Sequence, residues 1–179
     1  AFFWAYHLYK IHFSKKEQQI VERWMHELAL AEKNRKRTPN NNWEAKRLKI
    51  IGIIGSVLQN EDLQDYSIEG YKKYIASAYF PDGTSNDLHH HDALSYHVSG
   101  IKPCLTAFIN LSQFNPEFDL YEFEAGNGAS IRKSVEYVIP YATGEKQRKE
   151  WINTKVELDK QRAAAGLEKY QPGKLFAPK

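Results

Sequence analysis

The chain carries a single cysteine, Cys104, so no disulfide can close within it and no cysteine-rich metal motif exists. One cysteine leaves the redox compartment undecided. No run of about 18 apolar residues is present, which leaves no segment able to span a membrane as a helix. Neither sign of charge dominates. Lys and Arg number 25 against 22 Asp and Glu, a formal net charge of +3 that favours an anionic partner without naming one and equally suits ordinary solubility. The GxSxG, HExxH, P-loop and GxGxxG patterns are all missing, and "GNG" at 126–128 is too little to stand for one. Arg35, Lys36 and Arg37 form a short basic patch that lacks the extent of a nucleic-acid module and reads as a solvated face.

Among what is there, an apolar share of 42% excludes disorder, and 179 residues suffice for one domain with a real core or for part of a larger one. Eleven Tyr, nine Phe and four Trp suit a core, and they equally suit a groove that stacks on flat ligands such as sugar rings. Apolar residues recur at helical spacing over about 15–34, 43–59, 62–79, 92–112 and 128–139. The second of these, containing "IIGIIGSVL", is apolar almost all round and predicts a buried helix, with Gly52 and Gly55 letting a neighbour approach closely. Pro103 is expected to kink or split the fourth helix, and Pro140 to end the fifth. "NPEFDLYEFEAGNG" reads as loop or short extended chain, and 145–165 is charged and helix-prone with weak periodicity. The pattern is all-α, built of antiparallel helical hairpins. The opening "AFFWAYHLYKIHF" has neither a basic n-region nor a small-residue cleavage site and reads like mid-helix, so the expectation is one domain over 1–179 continued on both sides.

The chemistry-bearing stretch is "LHHHDALSYH", residues 88–97. Three readings compete: a metal site, an acid/base site, or a polar surface. On a helix, neighbours point about 100° apart, so His89, His90 and His91 cannot share one ion; from an extended segment His89 and His91 could, with further ligands from elsewhere. Acid/base work suits histidine and a tyrosine whose neighbours shift it, which makes Tyr96 a candidate. Asp92 is the natural N-cap of the helix that follows. A second polar cluster, "TPNNNWEAKR", offers asparagine donors that can hold a carboxylate and a Trp43 that can stack on a sugar, although asparagine runs are also ordinary loop and cap residues.

Taken together, "NNW" at 41–43, "PDG" at 81–83, "DALSYH" at 92–97, Pro103 six positions later, and "DLYEFEAGNGASIRKSV" resemble the alginate lyase family of polysaccharide lyases over about residues 40–140. The resemblance implies an (α/α) toroid of helical hairpins around a groove. It also implies β-elimination of a uronic-acid polysaccharide such as alginate, polymannuronate or a glucuronan, with no cofactor required. Carried over by position, Tyr96 matches the catalytic tyrosine, and Asn42, with Asn41 beside it, matches the asparagine that neutralises the carboxylate. Trp43 stands where many members have histidine. The arginine that often precedes the tyrosine is replaced by the histidine run, so His90, with His91 as rival, is the expected substitute for the lost charge or base. His89, His91, Trp43 and Asn41 are expected to contact substrate, and His97 to orient Tyr96 or line the groove.

The implied partner is an anionic polysaccharide, with no nucleic acid and no membrane. Because such polymers lie outside the cytoplasm, a secreted or periplasmic location follows as an expectation. Two other functions fit the same residues. A non-catalytic carbohydrate-binding domain is suggested by the missing arginine and by Trp43, and a metal-dependent hydrolase by the histidine run.

Overall fold

A computed structural model describes residues 2–36, 38–113 and 119–178. Helix α1 (Phe2–Tyr9) leads through a short 3₁₀ turn into α2 (Lys15–Lys33). Ser14 starts α2 with a capping box: its backbone N–H donates to the Glu17 carboxylate at 2.8 Å, and its Oγ accepts from Glu17 N–H at 3.3 Å. Helix α3 (Asn42–Leu58) follows the Pro39 break, with Asn41 as N-cap accepting from Trp43 N–H at 3.0 Å. Gln59 in the left-handed region closes α3, and Asn60 caps α4 (Glu61–Ala78) with its side chain.

Helix α3 is the axis of the molecule, packed by α2, α4 and α6, which is why its sequence is apolar nearly all round. Its glycines serve the close approach the sequence predicts. A Cβ on Gly55 would lie 2.9 Å from the Gln64 backbone nitrogen, and one on Gly52 would lie 2.5 Å from Ser67 Oγ. One core cluster, including Met25, Ile51, Ile54 and Leu63, fills the α2–α3 side. The other, including Leu48, Tyr71, Ile75, Cys104 and Leu111, joins α3, α4 and α6. The Tyr71 hydroxyl bridges the Ala45 and Pro103 carbonyls at 2.7 and 3.2 Å and so ties three helices together.

The predicted fourth helix is present, and it does not divide at Pro103; an additional short helix precedes it, ending at Asp92. A short α5 (Asn86–His91) precedes α6 (Leu94–Leu111), which runs unbroken through the proline. Asp92 is not the N-cap of α6. It sits at φ 49°, in the left-handed region, as the residue that ends α5. Its carboxylate is drawn instead to Arg148 (2.7 Å) and to Asn153 N–H (2.9 Å). The free first-turn amide of Ser95 is met from across the chain by Glu150, at 2.7 Å. Helix α7 (Ile131–Ala142), capped by Ser130, carries Pro140 inside its final turn rather than stopping at it.

The charged stretch 145–165 is not one helix. Strand β1 (Lys149–Glu150) pairs antiparallel with β2 (Lys174–Leu175), and α8 (Glu157–Ala164) and a 3₁₀ turn (Glu168–Tyr170) lie between them. Its weak periodicity has a physical cause. The segment docks through single side chains, chiefly Trp151 and Asp159, each about 1% exposed, rather than through a stripe. Residues 119–128 form turns, while 115–118 of the predicted loop, like Arg37 of the basic patch, lie outside the described residues. Among the described residues no helix is long and apolar enough to cross a membrane.

Candidate functional site

Helix α5 is less than two turns long, so its three histidines fan out as the helical spacing requires. His89 stacks on Phe80 (centroids 5.0 Å, planes 15° apart), and its Nε2 lies 2.9 Å from Thr84 Oγ1. His90 is exposed, and its carbonyl accepts from Lys155 N–H at 2.8 Å. His91 turns inward. Its Nδ1 lies 2.5 Å from Asp159 Oδ2, and its ring stacks on Tyr96 at 3.7 Å between centroids. The three therefore share no point, and the place beside the phenol belongs to His91 rather than to the expected His90.

Tyr96 lies in the first turn of α6, half-buried, with His91 on one face of its ring and the Trp151 ring edge-on at 5.6 Å. Its hydroxyl faces Arg162 Nη1 at 3.4 Å. Burial, the neighbouring Tyr170 hydroxyl and the Asp159 charge push the phenol up to about 12, while Arg162 pulls the other way. Near neutral pH the group therefore keeps its proton and suits a proton donor. Asp159 meets two groups through one oxygen: its Oδ2 faces His91 and accepts from the Thr154 hydroxyl at 3.0 Å, while its Oδ1 lies 3.8 Å from Arg162 Nη1. If Nδ1 of His91 carries the proton toward this carboxylate, Nε2 is left with a lone pair, the state of a general base.

Asn42 is only 5% exposed. Its backbone N–H donates to the buried Asp87 carboxylate at 2.9 Å, and its side-chain amide donates to Ser99 Oγ at 3.0 Å. Burial raises the Asp87 carboxyl above its usual range, and the Asn42 N–H partly offsets this. Ser99 lies one helical turn after Tyr96 on α6, so the partner of the Asn42 amide and the tyrosine are neighbours along that helix. A cavity of about 430 Å³ opens on the same face, lined by Ser95, Ser99, Lys102 and Lys169 among others.

Asn41 is committed to capping α3. Trp43 is 63% exposed, with the Lys46 ammonium 5.4 Å from its ring centroid, and it lines a separate cavity of about 370 Å³ with Arg35 and Arg47. His97 corrects the expectation placed on it. It points to the other side of α6, with no exposure, where Nδ1 meets Ser85 Oγ at 2.7 Å and the ring packs against Tyr79 and Tyr137. Burial lowers it to about 4, so it is a neutral core residue that neither orients Tyr96 nor lines a groove.

The sequence model of the alginate lyase family, described as "Alginate lyase", matches residues 6–148. The chain belongs to the alginate lyase family. The match is wider than the motifs that pointed to it, and it contains Asn42, His91 and Tyr96. A solved alginate lyase from Bacteroides ovatus superposes with a TM-score of 0.64 at 16% identity, over 89% of this chain and 46% of that one. That likeness shows the same all-α fold, an arc of an (α/α) toroid, and the chain spans under half the length of that relative. No curated protein matches it.

The family-matched span ends before Trp151, Asp159, Arg162 and Tyr170. These residues enclose Tyr96, and sequence reasoning missed all of them. The available signal was slight: a tryptophan and a tyrosine inside an otherwise charged stretch whose periodicity accounts for neither.

Proposed function

We propose that this chain carries the acid/base centre of a polysaccharide lyase that cleaves a uronic-acid polymer by β-elimination. The observation that carries the proposal is the stack of His91, held by Asp159, on Tyr96, with the Asn42 amide of α3 bonded to Ser99, one turn along the helix from Tyr96. In this reading the asparagine amide meets the sugar carboxylate and stabilises the charge that grows on it as C5 loses its proton. His91 Nε2 takes that proton. The C5–H electrons form the C4=C5 bond, the C4–O4 bond breaks with its electrons on oxygen, and the Tyr96 phenol protonates O4. Solvent then returns a proton to Tyr96 and removes the one on His91. Both groups stand on one side of the sugar because their rings are in contact, so the elimination is syn. A polymeric substrate of this kind places the protein in the periplasm or outside the cell.

The test is ultraviolet absorbance from the new double bond when the protein is mixed with alginate, polymannuronate or glucuronan. Tyr96→Phe is expected to lower turnover by about 10²-fold or more while polymer binding persists; full activity in that variant would sink the assignment. One observation favours a second reading, a binding module without chemistry. Trp43, exposed beside Lys46, offers a stacking face and a cation where many members of the family have a histidine. Retention of polyuronate with no unsaturated product would support it.

A further inference from the structure

We propose that Arg162, brought in by α8 from beyond the family-matched span, is the positioning cation of the Tyr96 centre, its guanidinium holding the phenol oxygen and balancing the negative charge left there when the proton departs. This inference rests on the reading of Tyr96 as proton donor. The titratable and charged groups facing Tyr96 come from three places: His91 from α5, Asp159 and Arg162 from α8, and Lys169 and Tyr170 from the following 3₁₀ turn. Two of them are basic side chains, and they are placed differently. Lys169 Nζ lies over the ring, 5.8 Å from its centroid. Arg162 Nη1 lies at the oxygen, 3.4 Å away.

The guanidinium is held from several sides. The same Nη1 reaches the Tyr170 hydroxyl at 3.1 Å and lies 3.8 Å from Asp159 Oδ1, and the guanidinium carbon sits 4.9 Å from the Tyr170 ring centroid. The polar contacts all run through one nitrogen, Nη1, while the guanidinium lies over the Tyr170 ring, a placement that suits its flat, weakly hydrated group better than an ammonium. Its side chain is one third exposed, so the charge stands at the mouth of the site rather than in dry core. Where the histidine run leaves the chain without an arginine just before its tyrosine, α8 supplies one from 66 residues downstream. An opposite charge at this distance favours the ionised phenol, against the burial that disfavours it.

The test uses the purified protein with ring-labelled tyrosine, the Tyr96 resonance being assigned by its loss in Tyr96→Phe. In Arg162→Gln, Tyr96 is expected to titrate at higher pH, with its phenolate population at a fixed alkaline pH falling about tenfold, and Arg162→Lys is expected to restore much of the loss. On a polyuronate, kcat of Arg162→Gln is expected to fall about 10²-fold with KM changed by less than about threefold. An unmoved Tyr96 resonance in an Arg162→Gln protein with wild-type circular dichroism and melting temperature would overturn the inference. If Arg162→Gln fails to fold, Arg162→Met, which keeps the apolar stem and removes the charge, is read in its place, and an unmoved resonance there overturns the inference in the same way. If the resonance moves but the wild type cleaves no polyuronate, the pairing stands and the lyase reading falls.

Discussion

Tyr96 and His97 are neighbours in the chain, and they show how one helical step separates chemistry from structure. Tyr96 faces His91 and Arg162, while His97 is turned about 100° away into the core. The difference has a measurable consequence in stability. His97 titrates at about 4 in the folded protein against an ordinary 6.5, because burial disfavours its charge. Above the upper value neither state holds the proton. Between the two, the unfolded chain takes up a proton that the folded chain refuses, so stability falls with pH by at most about 1.4 kcal/mol per unit. Below the lower value both states are protonated, and the loss stops growing. Asp87 and Glu150, whose carboxyls burial raises, oppose the trend in acid, so the comparison belongs between wild type and His97→Gln. The melting temperature of the wild type is expected to fall more steeply from neutral pH to about 4 than that of the variant. Parallel curves would show that His97 is not the buried neutral residue described.

At the level of elements, α3 owes its central place to an apolar circumference and to two glycines on the faces it presents to α4. Gly55 is the sharper case, because what a side chain would meet is backbone: the Gln64 nitrogen and the Leu63 carbonyl carbon, at 2.9 and 3.1 Å. Backbone cannot rotate away as a side chain can. Gly55→Ala is therefore expected to destabilise the protein by about 1–3 kcal/mol, despite alanine's better helix propensity, and to lower the urea midpoint. An unchanged or raised midpoint would mean that α4 moves aside freely. This close approach was legible in the sequence, because small residues on an otherwise apolar helix have few other uses. The short helix α5 before Asp92 was not. The histidines carry no apolar stripe, and what ends their helix is Asp92 turning to partners beyond residue 147.

For the molecule as a whole, the segment 149–178 decides what surrounds Tyr96, and Asp92 is its main polar anchor. Its carboxylate takes Arg148 and Asn153 N–H, and its carbonyl takes Trp151 N–H at 2.9 Å. Trp151 is held at φ 68°, a strained setting for a bulky residue that persists because its ring is wedged between Tyr96 and Tyr170. Asp92→Ala removes the two side-chain partners and places a less tolerant residue in the left-handed region. Amide exchange across 149–178 is expected to quicken about tenfold or more, while α2, α3 and α4 keep their protection. Turnover is expected to fall with it, since Asp159 and Arg162 travel on the released segment. Unchanged exchange there would show that Trp151 alone suffices to hold it.

The sequence by itself determined the helices with a continuous apolar stripe and, through the spacing of "NNW", "PDG" and "DALSYH", the family. Both are local properties: periodicity along a helix, and short motifs in order. Only the tertiary structure decided which of three adjacent histidines meets the tyrosine, that His97 is core, and that α8 delivers Asp159 and Arg162 to the site. The first and the last rest on single hydrogen bonds between residues 68 and 66 positions apart. Such bonds leave no period in the chain, and the helix turn that aims each side chain is fixed only when distant segments pack.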